Sequence, residues 1–91
     1  MSADKFINLA KVIVKNYINQ LEYGCKNIGI GINDVIVVWQ CKILQNNKAL
    51  LITNLFDKLY YEVTYNGDKN EFYFDVYEKR ENKKIELNQF N

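Results

Sequence analysis

Histidine and proline are both missing from this 91-residue chain. Without histidine there is no Ser-His-Asp or Cys-His relay, no imidazole ligand for a metal, and no side chain that ordinarily changes charge near neutral pH. Without proline, the turns fall to glycine, asparagine and aspartate. Cysteine is scarce: Cys25 and Cys41 are too few and too far apart for a zinc site. A disulfide between them stays open, although a chain with no secretory signal is expected in a reducing compartment. Excess charge is lacking too, since 12 basic and 11 acidic residues leave a formal +1. That balance argues against a generic nucleic-acid binder, which should be basic, and against an acidic imitation of DNA. Lys5, Lys11, Lys15 and Glu22 interrupt the first apolar stretch, so it cannot span a membrane. The cytoplasm is the expected location.

What is present suits one domain over residues 1–91, with 48% apolar and 25% charged residues. Ser2 is a candidate N-cap, followed by Asp4 near the positive end of a helix dipole. Phe6, Leu9, Ala10, Ile13, Tyr17 and Leu21 recur at helical spacing and form the expected buried face. Asp4, Asn8, Lys11, Lys15, Asn19 and Glu22 form the expected solvated stripe, and Gly24 is the expected stop. Ile7, Val14 and Ile18 make a second apolar row along one flank. Either the buried face is wide, or this row is a dimer contact with a second copy.

The alternating Ile28-Gly29-Ile30-Gly31-Ile32 reads as a connector or edge strand. Its GxG lacks the third glycine, the preceding strand and the following helix of a dinucleotide loop. From Asp34 to Leu44 the chain is rich in β-branched residues, and strict alternation would put Val35, Val37, Trp39, Cys41 and Ile43 on one face. Gln45-Asn46-Asn47 signals a turn, residues 48–53 a second strand, and residues 55–58 the next connection. A hairpin then folds around Asn66-Gly67, a pair that suits a tight turn with positive φ. Tyr61, Val63, Tyr65, Phe72, Phe74 and Val76 should face the helix, and Tyr60, Glu62, Thr64, Tyr73, Asp75 and Tyr77 the other side. Beyond it, residues 80–83 could turn into a fifth strand carrying Ile85 and Leu87, or residues 78–81 could begin a short helix. Short turns force antiparallel pairing, so the expected fold is α+β: an N-terminal helix packed on a four- or five-stranded antiparallel meander.

Glu62 and Asp75 should lie near each other across the hairpin. Paired carboxylates carry acid–base catalysis in glycosidases, but only in a cleft that perturbs one of them; on an open sheet they read as solvated. No catalytic residue, metal site or cofactor is expected, and the chain does not read as an enzyme. Tyr60, Tyr73 and Tyr77 resemble a stacking platform for single strands, yet their neighbours Glu62 and Asp75 would repel a phosphate backbone. The basic residues Lys79, Arg80, Lys83 and Lys84 lie beyond the sheet. Tyrosines flanked by acids suit protein recognition better, so Tyr60, Glu62, Tyr73, Asp75 and Tyr77 are the candidate partner-binding residues. The competing reading is that cross-strand aromatic pairs simply stabilise the sheet, by about 0.2–1 kcal/mol each.

Several stretches also carry a likeness: residues 3–11, Asp34-Val35 with Val37-Val38-Trp39, Leu44-Gln45-Asn46 with residues 48–51, and residues 60–69. Together they resemble a small uncharacterised family encoded by phages and prophages of low-GC Gram-positive bacteria. The resemblance implies a non-catalytic accessory protein in the host cell that binds a host or phage protein, such as an inhibitor of a defence or DNA-processing factor. A nucleic-acid or nucleotide binding module and a small virion assembly component are the alternatives.

Overall fold

A computed structural model describes residues 1–21, 29–55 and 58–90. One helix, α1 (Ala3–Leu21), precedes four strands: β1 (Val35–Ile43), β2 (Asn46–Thr53), β3 (Leu59–Asn66) and β4 (Glu71–Glu78). Each strand pairs antiparallel with the next in the order β1-β2-β3-β4. This is the expected α+β meander with four strands. The fifth strand does not form: residues 79–86 have no regular structure, and Leu87–Phe90 close a single 3-10 turn. Residues 80–83 hold no glycine and only Asn82 as a ready turn former, so nothing there folds the chain back onto β4. Among the described residues, no helix is long and apolar enough to cross a membrane.

Ser2 caps α1 as expected, with the Lys5 N–H donating to its Oγ at 3.1 Å. The expected stop at Gly24 and the side chain of Leu21 lie outside the described residues. Phe6, Ala10, Val14 and Ile18 form a fully buried line at four-residue steps, flanked by half-buried Ile7, Ile13 and Tyr17. Such a line is one of the ridges a helix presents for packing. The Ile7–Val14–Ile18 row is therefore corrected. Val14 and Ile18 are 0% and 3% exposed and Ile7 packs against the same core, so no dimer contact is left on them. Asn19 also leaves the expected solvated stripe. Its amide clamps Ile30, accepting the Ile30 N–H at 2.9 Å and donating to the Ile30 carbonyl at 3.2 Å. That closes the connector against α1 and buries Ile30.

On the sheet, Ala49, Leu51, Tyr61, Val63 and Tyr65 face α1 and are buried as their alternation requires. Burying each of the larger ones contributes about 1.5–3 kcal/mol. Phe72 and Val76 of β4, expected in the core, stay more than a third exposed, and Phe74 is half-buried. A helix about 10–12 Å wide cannot roof four strands spaced about 4.8 Å apart. β4 is therefore tied in at the rim by rings: Phe72 stacks on Phe6 at 6.3 Å, and Phe74 meets Tyr17 edge-on at 5.2 Å.

One strand and two turns differ from expectation in instructive ways. Val37 pairs with Leu51 and Trp39 with Leu50, so Val38 is an extra residue, a β-bulge. Past it the faces of β1 exchange. Gln40 and Lys42 pair with the helix-facing Ala49 and Asn47, and Trp39, Cys41 and Ile43 move to the far side. The β1–β2 turn is Leu44-Gln45, because Asn46 and Asn47 already belong to β2. Leu44 carries φ 56, the sign that the first position of a II′ turn needs. The β3–β4 connection is not a two-residue Asn-Gly turn. It spans residues 67–70, with Asn70 alone left-handed at φ 53. Asn66 Oδ1 accepts the Asp68 and Lys69 N–H groups at 3.1 and 3.2 Å, and so starts the loop with its side chain.

Candidate functional site

The sheet has one face under α1 and one that no described residue covers. Directly paired residues point the same way, so the register lays the open face out in rows. The first row is Ile36 and Ile52, continued by Tyr60 and Tyr77. The next runs Trp39, Leu50, Glu62, Asp75, and the third Cys41, Lys48, Thr64, Tyr73. All five expected partner-binding residues, Tyr60, Glu62, Tyr73, Asp75 and Tyr77, fall on this face, on its β3–β4 half. The β1–β2 half is apolar, with Ile36, Trp39 and Ile43 exposed by 45%, 42% and 65% beside half-buried Leu50 and Ile52.

The β3–β4 half has a definite electrostatic arrangement. Glu62 and Asp75 oppose each other directly, two carboxylates in one cross-strand pair. Such a pair works against the sheet by about 0.2–1 kcal/mol. Lys48 relieves Glu62 from one side at 3.4 Å, and the Tyr77 hydroxyl reaches it at a long 3.5 Å from the other. Asp75 has no ion pair or hydrogen bond among the described residues. The Glu62 carboxylate, then that of Asp75, holds the Tyr77 phenol above its ordinary pKa. Tyr73 is also raised, first because its hydroxyl donates to Glu71 at 2.5 Å. Both hydroxyls thereby aim their one proton at a carboxylate and turn their lone pairs to the surface.

Of the basic residues, Lys79 and Arg80 sit at one end of the sheet. With Lys58, Glu81 and Asn82 they line a depression of about 230 Å³. Lys58 and Lys79 also line a neighbouring one of about 150 Å³ that Tyr60 and Ile52 share. Lys83 and Lys84 lie further out, exposed and paired with Glu81 at 3.5 Å and Glu86 at 3.0 Å. Chemically the face offers rings, two hydroxyl acceptors and an acidic centre, with cations at its margin. Among the described residues, no three of His, Cys, Asp and Glu gather as a metal site would require.

Sequence reasoning missed the apolar half, and the cause is the bulge. Residues 35–39 are apolar without a break, so either parity satisfied the pattern and nothing marked the slip at Val38. Comparison with protein-family models matches residues 7–87 to a family of unknown function, DUF6275. No curated protein and no solved structure matches the chain.

Proposed function

We propose, for a chain that belongs to the DUF6275 family, that it is a phage-encoded, non-catalytic protein that binds a host or phage protein through the β3–β4 half of its open sheet face. The phage origin is supported by the resemblance of residues 3–11 and 60–69. The binding reading rests on one observation: Asp75, unpaired among the described residues, stands opposite Glu62 with Tyr60, Tyr73 and Tyr77 around them on a face that no described residue covers. A like-charge pair costs the free protein stability. A partner bringing a lysine or arginine between the two carboxylates removes that cost, while the tyrosines supply contact area with few torsions to freeze. Binding of this kind acts by occupying the partner's surface, which is how a small protein without catalytic groups inhibits.

The test is affinity capture from host lysate with wild type, Tyr73→Ala, Tyr77→Ala and Asp75→Lys. A protein retained by wild type and lost from all three variants supports the reading; retention by all of them refutes it. A nucleotide or nucleic-acid reading is favoured by the depression where Tyr60 meets Lys58 and Lys79. It requires a gel shift with short RNA or DNA at low salt that salt abolishes.

A further inference from the structure

We propose that residues 85–90 form an exchange arm: Ile85, Leu87 and Phe90 of one copy dock on the apolar β1–β2 half of the open face of a second copy, reciprocally. Ile85, Leu87 and Phe90 are 60%, 84% and 75% exposed, although the segment carries its own local order. The Glu86 N–H donates to Gln89 Oε1 at 2.8 Å and the Gln89 N–H to the Glu86 carbonyl at 3.1 Å, closing the 3-10 turn. In that turn residues three apart eclipse, so Leu87 and Phe90 project together as one apolar knob. Contiguous exposed apolar surface of this kind marks a contact.

The size of the molecule says how much surface awaits cover. The chain exposes 6949 Å², where a folded monomer of its mass should expose about 5,500 Å². Its radius of gyration is 15.6 Å, against about 12 Å for a compact domain of this length. The excess of about 1,400 Å² per chain, covered in both copies, falls in the range of obligate homodimers, about 2,000–5,000 Å² in total.

The occupant is a second copy because the arm does not pack on its own sheet: every residue from 79 to 90 is exposed. The Lys79 N–H donates to the Lys58 carbonyl at 2.7 Å, which fixes the point of departure at the end of the sheet. One arm and one acceptor per chain close into a symmetric dimer. The acceptor half is distinct from the tyrosine–acid half proposed above for the partner.

Light scattering on the full chain should give twice the chain mass of 10.8 kDa. The double substitution Leu87→Asp with Phe90→Asp should give a monomer with unchanged far-UV circular dichroism, whose urea midpoint no longer rises with protein concentration as a dimer's does. A wild-type monomer, or a dimer that survives the double substitution, overturns the proposal. A second measurement uses Cys25→Ser with Asn88→Cys, an exposed position beside the docking residues, leaving Cys41 on the acceptor half as the only other thiol. A short bis-maleimide should yield a covalent dimer on a denaturing gel. A monomer-mass loop, or no link, overturns exchange between copies. Tyr73→Ala with Tyr77→Ala should leave the dimer intact, so failure of the arm and failure of the partner surface are read separately.

Discussion

Replacing Gly67 by alanine tests whether the two hairpin turns of the meander are packed against each other. Gly67 does not take a left-handed φ, so its own backbone does not call for glycine. On conformational grounds alone alanine should stabilise the fold, by about 0.4–1 kcal/mol, through a narrower unfolded ensemble. The neighbours dictate the opposite. A Cβ at Gly67 would run into the carbonyl oxygen of Gln45 and lie 2.8 Å from its Cβ. Neither atom can swing aside, because Gln45 sits in the tight β1–β2 turn and its amide is tied to Asp68 at 2.6 Å. The Gly67 N–H is also held, donating to Asn46 Oδ1 at 3.1 Å. Making room means prising the turns apart, an overpacking cost of about 1–3 kcal/mol. The net loss should be on the order of 1–2 kcal/mol, lowering Tm by roughly 5–15 °C in a domain of this size. Gly31→Ala is the control: the nearest atom to its Cβ is Asp34 Oδ2 at 4.0 Å, so only the unfolded-state gain remains and the melt should hold or rise slightly. Thermal and urea unfolding followed by circular dichroism measure both. A Gly67→Ala midpoint at or above wild type refutes the turn-on-turn contact.

Leu44→Gly should raise the urea midpoint at unchanged m-value. Leu44 is 82% exposed and left-handed at φ 56, and relief of about 1–2 kcal/mol of strain outweighs glycine's entropy cost of about 0.5–1 kcal/mol. Asn19→Ala removes both bonds that clamp Ile30 and should cost about 1–3 kcal/mol, with faster hydrogen exchange at the Ile30 amide. The Gly31 N–H, then the Asn54 amide, lowers the Asp34 pKa below 3.8. Its stabilisation is therefore present above about pH 4 and lost as pH falls through the folded value; the gap in urea midpoint between wild type and Asp34→Asn should be constant at neutral pH and close below pH 4. Asp75→Thr should stabilise the free protein by about 0.2–1 kcal/mol while weakening capture of the partner; loss of stability instead would show that Asp75 is not in a repulsive pair.

The hairpin was legible because alternation and burial agree there: Tyr61, Val63 and Tyr65 meet the helix, and Tyr60, Glu62, Tyr73, Asp75 and Tyr77 share the other face. The helix was legible at its start, where Ser2 caps it, but its buried face was turned about the axis. Apolar residues on three sides of it left several stripes equally plausible, and the sheet selected the ridge through Phe6, Ala10, Val14 and Ile18. Gly67 was recognised as a turn residue, but for its φ, whereas its value lies in the approach of Gln45. That contact joins residues distant in sequence, and no local pattern records it. The same holds for Asn19, which reads as solvated until Ile30 comes to it.

The extra residue in β1 behaves as a frameshift does in a reading frame. Everything downstream keeps its letters and exchanges its meaning. A ladder in which Val38 itself paired with Leu50 would return Trp39, Cys41 and Ile43 to the interior and turn Gln40 and Lys42 outward. Composition and net charge would not alter, yet the open surface would pass from greasy to wet. Whether that face is adhesive is therefore decided by one residue standing out of the ladder, with no substitution needed to set it.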